Sequence, residues 1–598
     1  MNENKKIIIV AILITIIIIV AMLIIYFMGN ASSSDSTLIS EDINETNLEA
    51  NLDETDVDET YNEEVETTIV LKDDGTTVEG EGVKISSNTV KITAGGTYYI
   101  TGTLTDGNIL IDASKTSEIK LVLANVSITS SNTAAIYCKT AQKLIVTLEE
   151  NTVNYLEDAA EYIYESADEE EPAGTLYSKA DLTINGKGSL EIKANYLDGI
   201  VSKDTLKIVD GNITINSKDD AIRGKDSVII TGGTIKITAL GDGIKSTNDT
   251  DTSLGYVLIE NSNIDIETQN DGIQAETIIN IKSGNINIIT GGGSKNSNKT
   301  TSSTPFYQGS YNTQTTTTQS TVSSKGIKAS SEITIEGGTI TIDSSDDSIH
   351  SNGNVIILGG TITATSGDDG IHADSSVKID DGNIDIQKSY EGIEGMYIQI
   401  NGGTINVVSS DDGINVAGGN DSSSVDGRMG QNSFNTSNTN VKLVINGGNI
   451  TVNATGDGLD SNGSMYITGG NITVYGPTDS GNGALDYDNE CQITGGTLIA
   501  IGSSGMAQAP SSTSTQCSFT ISLSGNANDI ITIKNSVGAE ILTFTTEKSY
   551  QMITVANENI KVGEQYYIYV NGTQKTTVSQ SSTTVSTVSG NMNGMNRR

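Results

Sequence analysis

No tryptophan occurs among the 598 residues, and Phe (5), Pro (4), Cys (3) and His (2) are all scarce. Without Trp there is no broad ring to build a flat cellulose-binding platform, although 22 Tyr remain to stack on sugars. Cys138, Cys491 and Cys517 show neither metal-ligand spacing nor a disulfide framework. They read as buried thiols, and the odd count leaves at least one unpaired. Basic residues are the other shortage: 34 Lys and Arg face 75 Asp and Glu, a net charge of −41. Such a surface repels a phosphate backbone, which excludes nucleic acid as a partner. It favours cations, or anionic ligands reached through cations. What is plentiful is Gly (63), with Ile, Thr, Asn, Asp and Ser, the mix of many short β-strands joined by tight turns.

The N-terminus has its own character. Lys5 and Lys6 precede an apolar run of 22 residues, 7–28, long enough to span a bilayer and longer than a signal-peptide core. The lysines predict a cytoplasmic tip and membrane anchor over residues 1–29, with everything after Gly29 outside the cell. A cleaved signal, with secretion, is the alternative. Residues 30–68 follow as an acidic linker. Between 31 and 68 there are 13 Asp or Glu and no Lys or Arg, so this stretch is expected to stay extended and disordered.

A repeat governs the remainder. Small residues followed by Ile or Leu recur at Gly199, Ala221, Gly243, Gly272, Gly326, Ser348, Gly370, Gly392, Gly413, Gly458 and Ala484, most often 22 residues apart. A second series, typified by "TGGTI" (231–235) and "NGGTI" (401–405), keeps the same register at Gly211, Gly233, Gly338, Gly360, Gly382, Gly403, Gly448, Gly470 and Gly496. "SVIITGGTIKITALGDGIKS" (227–246) reads as strand, glycine turn, strand, Asp-Gly turn and a third short strand. Three strands in about 22 residues form one coil of a parallel β-helix, stacked about 4.8 Å above the next. The fold class is therefore all-β, with a parallel β-helix over residues 69–502 and an isoleucine ladder such as Ile222, Ile244, Ile273, Ile327, Ile349, Ile371 and Ile393 as core. Residues 68–99 are expected to cap its first edge. Ser/Thr/Asn/Gly-rich insertions at 291–324 and 418–440 map to loops. Residues 503–598 lose the period and read as a small antiparallel β module with a Ser/Thr-rich tail.

Carboxylates occupy one phase of the repeat: Asp198, Asp220, Asp242, Asp271, Asp347, Asp369, Glu391, Asp412 and Asp457 directly precede the small residue, interrupted by Lys325. Asp219, Asp346, Asp368 and Asp411 double the charge. Two carboxylates stacked at this spacing repel by roughly 3–4 kcal/mol at an effective dielectric near 20. Ca²⁺, which takes six to eight oxygen ligands, removes the conflict. Plain Asp turns account for one Asp per coil but less well for the pairs. Two residues beyond the small one runs an outward row that drifts from basic to acidic: Arg223, Lys245, Gln274, Lys328, His350, His372, Glu394, Asn415, Asp460 and Asp486. The two histidines read as a side-chain ladder or, more sharply, as transition-metal ligands.

The stretches "YSKADLTING", "LDGIVSKDTLKI", "DDAIRGKDSVII" and "YEGIEG" resemble the bacterial carbohydrate-binding-domain proteins, over about residues 65–578. That resemblance implies a right-handed parallel β-helix similar to calcium-dependent pectate lyases, with aspartate-bound Ca²⁺ and binding of plant cell-wall polysaccharide. The calcium aspartates it implies are Asp198, Asp219, Asp220 and Asp242, then Asp346, Asp347, Asp368 and Asp369. The Trp-containing signature of pectate lyases cannot exist in this chain. Three functions follow. The first is calcium-stabilised binding of an acidic polysaccharide, a polyuronate or other cell-wall glycan, with Lys203, Arg223, Lys225 and Lys245 as a basic edge. The second is a calcium-dependent lyase, with Arg223, Lys245 or Lys328 as base. The third is an envelope spacer.

Overall fold

Inside each repeat isoleucine alternates with polar residues, so every second side chain of a strand points the same way. The computed structural model describes residues 43–61, 67–164, 166, 168, 170–297, 323–417 and 441–588, and everything below belongs to the unit spanning residues 45–598. Each repeat lays down three strands, for example Ile222–Gly224, Ser227–Ile230 and Thr234–Ala239, which belong to the first, second and third sheets in that order. Each strand pairs in parallel with its equivalent in the next coil, which makes a parallel β-helix with three stacked sheets. The first sheet carries Ile222, Ile244, Ile273, Ile327, Ile349, Ile371 and Ile393 in direct register. All seven are fully buried. Each contributes about 1.5–3 kcal/mol of apolar burial.

The second glycine series marks the turn into the third sheet, where the backbone takes a left-handed conformation (Gly233 φ +87°, Gly403 φ +86°). Gly284 (φ +126°) holds the same place in a coil that lacks the paired glycine. The first small-residue series has a different cause. A Cβ on Gly199 would lie 2.6 Å from the Ala221 carbonyl oxygen and from Ile215 Cγ2. Size, not backbone angle, is restricted there.

Both ends of the helix are closed by antiparallel strands. At the start, Thr67–Leu71 pairs with Thr77–Glu79, and Val83–Ser86 with Thr89–Ile92, before parallel stacking takes over. At the other end Thr497–Gly502 pairs antiparallel with Tyr550–Ala556, which also pairs with Ser518–Gly525. A four-stranded antiparallel sheet follows, made of Ile530–Asn535, Glu540–Thr545, Gln565–Val570 and Thr573–Ser579. Phe519, Ile531, Ile553 and Tyr566 give this end a core of its own. Such closure protects a solenoid's edges from pairing with other chains. Cys138, Cys491 and Cys517 are free, buried thiols.

The apolar run at 7–28 lies outside the described residues, as do most of the insertions, at 298–322 and 418–440. Among the described residues no helix is long and apolar enough to cross a membrane.

The structure departs from the expected disordered linker. Residues 45–61 are laid along the outer face of the second sheet, running against the direction of the coils. Thr46 N–H donates to Glu332 Oε1 at 2.7 Å, Lys207 donates to the Asn51 carbonyl at 3.0 Å, and Tyr61 donates to Glu149 at 2.5 Å. A single helical turn, Glu54–Val57, is capped by Asp53 and buries Asp56 completely. Asp56 is gripped by Lys143 (2.7 Å), Lys207 (2.8 Å) and the Thr183 hydroxyl (2.5 Å). Lysines scattered through several coils form a cationic track under the acidic strap, and that complementarity overrides the composition.

Candidate functional site

The carboxylate column begins as a backbone device. Each Asp sits where the chain enters the first sheet, and its Oδ1 accepts the N–H of its equivalent in the next coil. Asp198 serves Asp220 (3.1 Å), Asp220 serves Asp242 (2.8 Å), Asp242 serves Asp271 (2.9 Å) and Asp271 serves Lys325 (2.8 Å). After Lys325 the series resumes with Asp347 to Asp369 (3.0 Å), Asp369 to Glu391 (3.2 Å) and Asp412 to Asp457 (2.6 Å). An ionised carboxylate that accepts such bonds satisfies a buried amide the sheet leaves over. Lys325 cannot accept, and there Asp346 takes over, receiving the Asp347 N–H at 3.1 Å. That substitution explains one of the doubled aspartates.

In the coils before Glu391 the second oxygen of several column Asp residues meets a basic side chain of the outward row or of the column itself. Asp198 Oδ2 binds Arg223 Nε at 2.7 Å, Asp242 Oδ2 binds Lys245 at 2.6 Å, and Asp271 Oδ2 binds Lys328 at 3.2 Å. Asp347 Oδ2 receives Lys325 at 2.6 Å and His350 Nδ1 at 2.7 Å. Lys325 also reaches Asp346 at 3.0 Å. Upstream, then, much of the column's charge is balanced within the chain.

His350 and His372 stack with ring centroids 4.8 Å apart, the side-chain ladder among the two readings. His372 Nδ1 faces Asp369 (3.2 Å) and Glu394 (3.0 Å), while Nε2 faces Asp374 (3.1 Å). Burial alone would lower its pKa, but Asp369, Asp374 and Glu394 raise it well above the ordinary value.

Beyond Glu391 the balance ends, because the outward row becomes Glu394, Asn415, Asp460 and Asp486. Burial, then Asp411, Asp457 and Asp460, push Asp412 well above the usual carboxylate range. Burial and the neighbouring Asp486 and Asp411 raise Asp457 to about 7, against a backbone hydrogen bond from Gly483 that lowers it.

The residues singled out from sequence do not form one cluster. Asp198, Asp219 and Asp220 bring oxygens within 4.8 Å of one another, and so do Asp346, Asp347 and Asp368. Asp242 belongs to the ladder beside Lys245, and Asp369 groups with His372 and Glu394. Asp219 is exposed and Asp346 half-buried, whereas Asp198, Asp220, Asp347 and Asp368 are buried. Of the basic edge, Lys225 is exposed and Lys203 pairs with Glu171 at 3.1 Å, while Arg223 and Lys245 are committed to the column. Sequence reasoning did not select Asp412, Asp457 and Asp460 as a group, although their ligand atoms also lie within 4.8 Å of one another. The signal was the acidic end of the outward row.

A parallel β-helix with an acidic column along one sheet is the class of protein that fold and site define. Residues 86–370 match the family model described as carbohydrate-binding domain-containing protein. A protein of the same description from Acetivibrio thermocellus is 41% identical over 137 residues, 23% of this chain and 48% of that one. The chain thus spans about half the length of the curated relative it matches. A solved structure described as the polysaccharide lyase-like protein from C. thermocellum, a gadolinium derivative, is 38% identical, with a TM-score of 0.38. The match covers 38% of this chain and 92% of that one.

Proposed function

We propose that the protein binds an acidic polysaccharide of the plant cell-wall type outside the cell, without cleaving it, and that residues 7–28 anchor it in the membrane. The observation that carries the reading is the match of residues 86–370 to the carbohydrate-binding family model, joined to the first-sheet face within that stretch. There Asp219 and Lys225 are exposed beside the ladder, and Tyr164 and Tyr196 are half-buried at its N-terminal end. A polyuronate is repelled by a chain of this net charge, so binding needs Ca²⁺ between the two sets of carboxylates. Asp219, with oxygens close to those of Asp198 and Asp220, fits that role. Asp346 beside Asp347 and Asp368 is the second such place. Ca²⁺ would supply charge bridging at these sites, while Lys203 and Lys225 steer the glycan.

The lyase alternative needs a base that can lose its proton. Burial works toward that end at Arg223 and Lys245, but the adjoining carboxylates outweigh it and raise both values. These side chains are held as cations, which favours binding over elimination. Lys5 and Lys6 ahead of the apolar run support the anchor and the outward placement. Sedimentation with insoluble pectate tests the reading: the chain should pellet with Ca²⁺, remain in solution with excess chelator, and generate no ultraviolet-absorbing unsaturated product. Product that disappears in Lys245→Ala would make it a lyase, and neither pelleting nor product would leave a spacer.

A further inference from the structure

Lys139, Lys179, Lys203 and Lys225 each directly follow a first-sheet strand. The strand ends before them are in register, Cys138 with Ser178, Ser178 with Ser202, and Ser202 with Gly224. The lysines therefore succeed one another one coil apart, at about 4.8 Å. Arg223, Lys245 and Lys328 answer aspartates of the column. Lys179 and Lys203 instead share one carboxylate from outside it. Glu171 Oε2 lies 2.5 Å from Lys179 Nζ, and Oε1 lies 3.1 Å from Lys203 Nζ.

Glu171 comes from the segment between the strands Val153–Glu157 and Gly174–Ser178. The start of that segment is seated by packing: Ala159 and Tyr162 are buried with Tyr137, Tyr177 and Val201. The Tyr162 ring stacks on Tyr196 with centroids 4.8 Å apart, and its hydroxyl donates to Asp158 at 2.7 Å. At the other end Tyr164 donates to the Pro172 carbonyl at 3.2 Å, and Ala173 packs on the same cluster. The backbone beside Glu171 is thus fixed by contacts that do not involve its carboxylate. The side chain can turn away without unpacking the segment.

The ion pairs are open to solvent. The side chains of Lys179 and Lys203 are 42% and 41% exposed, and that of Glu171 is 25% exposed. A pair this accessible shifts an equilibrium by no more than about five-fold, which a competing carboxylate can match. Burial works to raise Glu171, but hydrogen bonds from Lys179, Lys203 and Tyr177 outweigh it and bring its pKa to about 2. Glu171 is still ionised where a carboxylic acid of ordinary strength begins to titrate. Exchange for another carboxylate, not protonation, is what frees the lysines.

We propose that Lys179 and Lys203, with the Tyr177 hydroxyl, form a carboxylate-binding subsite for the acidic polysaccharide, and that Glu171 fills it in the free protein as an internal stand-in. The identity of the ligand rests on the function proposed above, but the subsite does not depend on Ca²⁺. One uronate carboxylate replaces Glu171, and the polymer continues along the helix axis to the exposed Lys225 of the next coil.

Lysine acetylation of the full chain with acetic anhydride, read by peptide mass spectrometry in chelator, tests the subsite. In Glu171→Gln, Lys179 and Lys203 should label about two- to five-fold faster than in the wild type. Excess oligogalacturonate should reverse that gain, while the exposed Lys236 of the third sheet labels alike throughout. Glu170→Gln removes the same charge from an exposed neighbour and should leave both lysines at the wild-type rate. Labelling in Glu171→Gln that oligogalacturonate does not slow, or an equal gain in Glu170→Gln, overturns the proposal. Retardation of the wild type in a gel of polygalacturonate and Ca²⁺ reads the calcium-bridged function separately. Protection without retardation keeps the subsite and sinks that function, and retardation without protection does the reverse.

Discussion

At the scale of single residues, the column aspartates act first as hydrogen-bond acceptors for the next coil and only second as charges. Asp56 illustrates how a buried carboxylate is tolerated when every oxygen is met. Burial alone would raise it, but Lys143, Lys207 and Thr183 outweigh burial and hold it below the usual carboxylate range. Its folded-state value lies below the unfolded one. The stability it contributes is therefore complete above about pH 4 and is lost as pH falls through the depressed value. Protease cleavage within residues 45–61 should accordingly be slow near neutrality and accelerate in acid, with an acid-active protease as probe. Asp56→Ala leaves Lys143 and Lys207 facing each other without their shared anion. It is expected to loosen the strap by about 3–5 kcal/mol, so that cleavage becomes rapid at neutral pH. Cleavage at the wild-type rate in that variant would show the strap to be held by other contacts.

At the scale of elements, the strands were legible because two requirements write themselves into sequence with one period. Inward positions must be apolar, as Ile244, Ile273 and Ile327 show, and a left-handed turn must be glycine, as at Gly233 and Gly403. The roles of the carboxylates were not legible, because a bond from Asp220 to the amide of Asp242 exists only once coils are in register. The strap left even less trace: Lys143 and Lys207 lie 90 and 151 residues from the Asp53 and Asp56 oxygens they bind. Only the Asp53 and Asp56 pair of the short helical cap hinted at order there. A stacked ladder also predicts how damage spreads. Ile327→Ala removes a fully buried side chain between Ile273 and Ile349 and should lower stability by about 2–5 kcal/mol. Because each coil touches only its neighbours, hydrogen exchange should rise most in the coils carrying these three residues and little near Leu144 or Ile467. A uniform rise along the helix would contradict the solenoid account.

At the scale of the whole molecule, charge is graded along one sheet, from tyrosines through cations to carboxylates. Tyr137, Tyr177, Val201, Arg223 and Lys245 follow one another in register within the family-matched stretch, and Asn415, Asp460 and Asp486 follow one another beyond it. On the proposed function, the basic part would offer the approach for an anionic chain, and a bridging Ca²⁺ would decide whether a protein of net charge −41 holds it. Affinity electrophoresis through a native gel containing polygalacturonate reads that claim most directly. The wild type should be retarded in Ca²⁺ and released by chelator. Asp219→Asn should lose much of the calcium-dependent retardation, and Lys225→Glu should migrate faster than wild type relative to a polysaccharide-free gel. Equal mobility of the wild type with and without polygalacturonate in Ca²⁺ would contradict the account.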